Sequence, residues 1–167
     1  MARRAAMLCA SAFCVQFFIV QQAIPKTEKV DPEVRCLAEA IYFEARGESE
    51  KGQLVVGRVV QNRAESGDYP TTICGVVYQG SKRRTGCQFS FACDGMPEAI
   101  NEKEAWQTAK ARAAELAKCD EKCRRTPDWS GSLWTSTHYH ADYVHPRWAK
   151  KLKRTGSVGR HIFYASA

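Results

Sequence analysis

The sequence has no internal repeat, no low-complexity tract and no Cys-x-x-Cys pair. The first two absences leave no sign of an array or of a second domain. The third removes the usual paired-cysteine zinc site, since Cys119-x-x-x-Cys123 matches that spacing only loosely. What is present is a chain of 167 residues with 44% hydrophobic content, the size of one domain with material for an ordinary core.

The long apolar run is at the start. Arg3 and Arg4 precede Ala6 to Val20, which is broken only by Ser11 and Gln16, and Gln21, Gln22 and Pro25 follow. A positive start, an apolar middle and a polar exit predict a signal peptide over residues 1–25. The run is somewhat short for a comfortable span, yet an uncleaved signal anchor at the inner membrane is the alternative. Ala10-Ser11-Ala12 has the small-x-small form of a cleavage site but lies inside the apolar run, and Gln21-Gln22-Ala23 is a poor site. Residues 26–30 read as a polar linker and 31–167 as the functional domain.

Export predicts a periplasmic or cell-envelope location and explains the cysteines. Cys9 and Cys14 fall within the signal, leaving Cys36, Cys74, Cys87, Cys93, Cys119 and Cys123. In an oxidising compartment these pair as up to three disulfides, in a connectivity that sequence alone does not choose. The net charge is +7, of which Arg3 and Arg4 supply two. A basic balance suits nucleic acid, an anionic membrane or an acidic polymer. Export argues against nucleic acid and leaves the polyanionic bacterial wall, or plain solubility. The domain is read as a monomer.

Asp31-Pro32-Glu33 is a helix start, with a capping Asp, Pro in the first turn and an acid at the positive end of the dipole. The helix runs to Arg46 and stops at Gly47, with an apolar stripe of Val34, Leu37, Ala38, Ile41 and Ala45. Ser49 caps a second helix through Val55, Val56, Val59, Val60 and Arg63, whose valines follow the helical period rather than alternation. Gly67-Asp68 ends it, and Ile73 to Gln79 reads as a short helix. Gly80 to Gly86 is a basic surface loop. Pro97-Glu98 predicts the start of a long helix that buries Ile100, Trp106, Ala109, Ala113 and Leu116, with Trp106 in the core rather than on a binding surface. Trp134 to His140 and His161 to Tyr164 read as short strands or extended segments.

Glu44 stands out on chemical grounds. It lies about 20° around the helix from Leu37, at the edge of the apolar stripe, and in the last turn, where the helix dipole is negative. Desolvation and the dipole both raise a carboxyl's pKa. A carboxyl kept protonated near neutral pH can donate to a glycosidic oxygen, the task of a general acid. The plain alternative is an acid paired with Arg46 or Arg63. Glu48, just past Gly47, is the competing acid; it is placed at the substrate-binding side of the site, or orients Glu44, or pairs with an arginine.

Several blocks resemble a known family. They are Cys36-Leu-Ala-Glu-Ala-Ile-Tyr-Phe-Glu-Ala-Arg-Gly-Glu-Ser49, Gly52-Gln53, Val59-Val60-Gln61-Asn62-Arg63, Tyr69-Pro70, Ile73 to Gln79 and Gln88-Phe89-Ser90-Phe91. Thr137-His138-Tyr139-His140, Pro146-Arg147-Trp148 and Gly159-Arg160-His161-Ile162-Phe163-Tyr164 complete them, in order, over nearly the whole domain. This run resembles the SleB/CwlJ-type cell wall hydrolases, the family of the spore cortex-lytic enzymes.

The resemblance implies an α+β fold: a compact, mainly helical, lysozyme-like domain with a small β element near the C-terminus. It implies a lytic transglycosylase or muramidase acting on peptidoglycan between N-acetylmuramic acid and N-acetylglucosamine, with no cofactor. The family's Glu-Ala-Arg-Gly-Glu block falls on Glu44 to Glu48, and Glu44 best matches its catalytic acid. Gln88, Phe89 and Ser90 match a block that lines the glycan groove, and Tyr139 and Trp148 offer aromatic faces or a hydroxyl to sugars. Asn62 and Arg63 are read as tying helix to loop. The basic insertion Ser81 to Thr85 and the cysteines at 87, 119 and 123 do not match the family pattern, and a role in germination does not carry over.

Two rival readings stand beside this one. His138, His140, His145 and His161, with Asp142 nearby, suggest a zinc amidase, because a His-x-His pair on a strand puts both rings on one face. Family members often carry tyrosine or asparagine at these histidine positions. The other rival is a non-catalytic peptidoglycan-binding module, against which Glu44 at its helix end argues.

Overall fold

The computed structural model describes residues 31–83 and 87–166; the expected signal and linker lie outside the described residues. Helix α1 spans Pro32–Ala45, and the Asp31 carboxylate accepts from the Glu33 N–H at 2.9 Å, the expected cap. Leu37, Ala38, Ile41 and Ala45 of the expected stripe are buried, joined by Cys36, Ala40 and Tyr42. Helix α2, Glu50–Ser66, is capped by Ser49 and ends at Gly67 with φ 82°, a left-handed turn that glycine adopts without penalty.

The valines of α2 give the core its centre. Val55, Val56, Val59 and Val60 are completely buried, each contributing roughly 1.5–3 kcal/mol of apolar transfer before the entropy of ordering is set against it. Helices α1 and α2 and the helix carrying Leu116 close on Gly57, where a Cβ would run into Leu116 and Ile41. Glycine is therefore required there by packing, at a known cost in helix propensity.

Helix α3, Ile73–Val77, is one residue pair shorter than expected and is fixed to α1 twice. The Glu33 carboxylate accepts from the Ile73 and Cys74 N–H groups at 2.6 and 3.2 Å, and Cys36 is disulfide-bonded to Cys74. Closing that 38-residue separation restricts the unfolded chain by roughly 4 kcal/mol. The other pairings, Cys87–Cys93 and Cys119–Cys123, are local. The six cysteines among the described residues are thus all paired, as expected.

Helix α4 spans Lys103–Lys118, so its start at Pro97 is corrected. Residues 97–102 run along α1 instead: the Glu102 N–H donates to the Tyr42 hydroxyl at 3.0 Å, and Arg46 reaches the Glu102 carboxylate at 2.7 Å. Tertiary partners outweigh the start signal of Pro97-Glu98. Ala109, Ala113 and Leu116 are buried as expected, while Ile100 and Trp106 are only partly buried against the core, Trp106 edge-on to Tyr42. A short helix α5, Glu121–Arg124, follows.

A three-stranded antiparallel sheet closes the fold, with β1 His138–Ala141, β2 Lys153–Val158 and β3 His161–Ala165 in the order β1-β3-β2. Strand β2 was not expected; its Lys-Arg-Thr-Gly-Ser-Val sequence carries no apolar alternation. Trp134 belongs to a 3-10 turn, Ser132–Thr135, ahead of β1. The architecture is the expected mainly helical α+β body with its small β element at the C-terminal end. Among the described residues no helix is long and apolar enough to cross a membrane.

Candidate active site

The end of α1 meets the sheet at a groove made of two adjoining hollows. The larger, about 760 Å³, is lined by Glu44, Arg63, Gln88, Phe89, Ser90, His138, Tyr139 and Trp148 among others. The smaller, about 390 Å³, includes Glu44, Glu48, Arg160 and His161. Phe43, Glu44, Ala141, Tyr143 and His161 belong to both, so Glu44 stands where they join. The candidates for catalysis and glycan binding, Glu44, Glu48, Gln88, Phe89, Ser90, Tyr139 and Trp148, all line this groove.

Their environments differ. The Glu44 carboxyl is half-buried and, among the described residues, has no cation within salt-bridge distance; burial raises its pKa above the ordinary value of 4.5. Two weaker effects oppose that rise: the Tyr139 hydroxyl donates to Oε2 at 3.1 Å, and the Arg63 charge is nearby. Arg46, the other expected partner, turns to Glu102. Tyr139 is itself partly buried, and burial followed by the Glu44 charge holds its phenol well above the usual range. It is therefore a dependable neutral donor.

Glu48 faces the hairpin. Its carboxylate accepts from the Arg160 N–H at 3.3 and 3.4 Å and lies 3.7 Å from His161 Nδ1. Gly159, at φ 54°, is required beside it, because a Cβ there would collide with the Glu48 carboxylate. Glu48 thus pins the β2–β3 turn to the loop after α1 and borders only the smaller hollow.

Arg63 joins helix to sheet. Its Nε donates to the Thr137 carbonyl at 2.6 Å, and Asn62 donates to the Trp134 and Ser136 carbonyls at 2.8 and 2.7 Å. These bonds match the helix-to-loop role expected of the pair. Arg63 does more than that: its guanidinium lies between the Tyr69 and Phe89 rings, faces the amide oxygen of Gln88 at 2.9 and 3.2 Å, and lines the cleft. Only the fold reveals this second role, although Arg63 already stood in a recognisable block.

The remaining candidates divide. Phe89 is 2% exposed and belongs to the core beneath the cleft, Ser90 is exposed at its edge, and Cys87–Cys93 closes the turn that carries both. Trp148 packs against His138, His140 and Tyr164 with one side on the cleft. Two of the histidines are committed to other partners. His138 bonds Tyr69 and Thr137, His140 bonds the Ala141 carbonyl and Tyr164, and His145 is exposed. Ring nitrogens engaged in this way do not converge as zinc ligands do. His161, a metal ligand in the zinc reading, stands edge-on to Tyr139 at 5.1 Å, with Nδ1 unbonded, and burial lowers its pKa.

Another hollow, about 780 Å³, lies among Glu50, Leu54, Trp129 and Trp134. Leu54 and Arg63, nine residues apart, point about 180° from each other on α2, so this hollow is on the far side from Glu44. Its walls hold none of the candidate residues.

A helical body with a groove, a buried carboxyl at the groove's centre and polar and aromatic walls defines the class: a protein built like a polymer-cleaving enzyme. The comparisons give the family. The Cell Wall Hydrolase family model matches residues 47–164, and the chain belongs to that family. The match begins just after Glu44, so it assigns no role to that residue. The spore cortex-lytic enzyme of Bacillus cereus is 38% identical over 131 residues, covering 78% of this chain and 43% of that protein. That of Oceanobacillus iheyensis is 27% identical over 133 residues, covering 78% and 41%. This chain therefore spans less than half the length of these relatives. Among solved structures, the catalytic domain of the germination-specific lytic transglycosylase SleB from Bacillus anthracis superposes with a TM-score of 0.58 at 24% identity, covering 84% of this chain and 99% of that one. The catalytic domain of the Bacillus cereus SleB protein gives 0.56 at 25% identity, covering 79% and 88%.

Proposed function

We propose that this chain is an exported enzyme that cuts peptidoglycan glycan strands as a lytic transglycosylase, between N-acetylmuramic acid and N-acetylglucosamine, with Glu44 as its one acid/base. The observation that carries the reading is a carboxyl with a raised pKa at the junction of two hollows, where a glycan threaded through the groove would place one sugar on either side. Protonated Glu44 gives its proton to the glycosidic oxygen as the bond to the muramic C1 breaks. A group of the sugar takes the part of the missing second carboxylate, as in the substrate-assisted exceptions to two-carboxylate hydrolysis. Ionised Glu44, held by the Tyr139 hydroxyl and the Arg63 charge, then takes the proton of the muramic 6-hydroxyl. The oxygen so released closes on C1 as an anhydro ring, and no water is consumed.

Gln88, Ser90, Tyr139 and Trp148 hold the glycan, Phe89 supports them from below, and Glu48 fixes the wall next to the smaller hollow. An exported domain with paired cysteines acts in the periplasm or cell envelope, as a monomer, free or held at the inner membrane by residues 1–25. The test is digestion of purified peptidoglycan under oxidising conditions, followed by mass spectrometry of the soluble products. Anhydromuramic ends unaffected by a chelator support the proposal. Reducing muramic ends make the enzyme a muramidase with the same acid. Free stem peptides that a chelator abolishes would overturn it in favour of an amidase.

A further inference from the structure

Single exposed apolar side chains are common on protein surfaces, but neighbouring ones that border a groove mark a binding surface. Among the described residues the exposed large hydrophobics are Met96, Tyr143 and Val144, and the last two are neighbours on the turn after β1, at the mouth of the groove. Tyr143 is 69% exposed and lines both hollows that meet at Glu44. Its backbone is nevertheless well fixed. The Asp142 N–H donates to the Arg160 carbonyl at 2.7 Å and the Val144 N–H to the Ala141 carbonyl at 2.9 Å, so the turn is bonded on both sides of the tyrosine. The Arg160 guanidinium sits 5.1 Å from the ring centroid and 3.5 Å from the Asp142 carboxylate. A cation on one face of the ring leaves the other face free.

We infer that Tyr143 is a substrate-binding residue: its open ring face stacks on the apolar face of a sugar next to the scissile bond, and Arg160 behind it meets the carboxylates of the stem peptides. This inference rests on the proposed glycan-cleaving reading and adds a residue that none of the short sequence blocks contains. A tyrosine offers a rigid apolar face with little side-chain entropy to lose, which suits a sugar ring better than a flexible aliphatic chain. Its place on both hollows puts that contact against the sugars nearest Glu44 rather than at a distant end of the groove.

The test uses the full chain carrying Glu44→Gln, so that binding is read without turnover, and measures co-sedimentation with insoluble peptidoglycan and with glycan stripped of its stem peptides. Adding Tyr143→Ala is expected to weaken binding to both about three- to ten-fold, with an unchanged melting curve because the side chain is exposed. Tyr143→Trp keeps an aromatic face and is expected to bind like the parent. Parental binding by Tyr143→Ala overturns the inference, as does a loss confined to peptide-bearing wall or a loss in Tyr143→Trp equal to that in Tyr143→Ala. If the Glu44→Gln parent does not bind peptidoglycan and the unmutated chain does not cut it, the functional reading itself falls.

Discussion

Glu44 and Glu48 lie four residues apart, one on the last turn of α1 and the other on the loop that follows it, and they meet opposite conditions. Glu44 faces the groove with a hydroxyl donor, no paired cation among the described residues and a pKa raised by burial. Glu48 faces the hairpin, where the Arg160 N–H and the nearby His161 ring occupy its carboxylate. The same side chain at nearly the same place is the acid of the proposed reaction in one setting and a structural tie in the other. What separates them is the partner that the sheet brings to each: the Tyr139 side chain to Glu44, and the backbone of the β2–β3 turn to Glu48.

The comparison breaks most sharply at Glu44→Gln. It is expected to lower the release of glycan fragments by about 10²- to 10⁴-fold while the melting curve keeps its cooperativity, measured on purified peptidoglycan and by circular dichroism. Arg63→Met comes next. It leaves the Thr137 carbonyl and the Gln88 amide without their donor, at a cost of roughly 1–3 kcal/mol in denaturant unfolding. It also removes a charge that lowers the Glu44 pKa, which is expected to rise further. Glu48→Gln loses the charge that holds the hairpin turn and is expected to cost about 1 kcal/mol of stability, with cleavage retained within about an order of magnitude. A Glu48 variant that is fully stable but inactive would reverse the two roles.

The smallest effect is thermodynamic. Because the folded-state pKa of Glu44 is raised, its protonated form favours the fold below the ordinary glutamate value of 4.5, and that contribution is lost as pH rises through the raised value. Glu44→Gln escapes this loss, so its melting temperature relative to the unmutated chain is expected to be higher at pH 7 than at pH 4. An equal difference at both pH values would mean that burial does not perturb the carboxyl.

Much of this was legible in the residues. Local signals marked α1 and α2, since Asp31, Ser49 and Gly67 act within a turn of their own position. Periodicity alone put Glu44 at the edge of a buried stripe. Distant partners were not legible. Pro97 gave a correct local signal that the Tyr42 hydroxyl and Arg46 override by holding residues 97–102 and Glu102 along α1. Strand β2 gave no signal because its stability comes from pairing with β3 rather than from an apolar face of its own. Arg63 showed its helical place but not its position beside Glu44, which depends on how α2 meets β1.

The pH dependence of glycan cleavage tests most directly the claim that burial makes Glu44 an acid. The account predicts that kcat/KM falls on an alkaline limb set above the ordinary glutamate value of 4.5, and that Tyr139→Phe, which removes a hydrogen bond that lowers the Glu44 pKa, moves that limb to higher pH. A limb at the ordinary glutamate value, or one that Tyr139→Phe leaves in place, would contradict it.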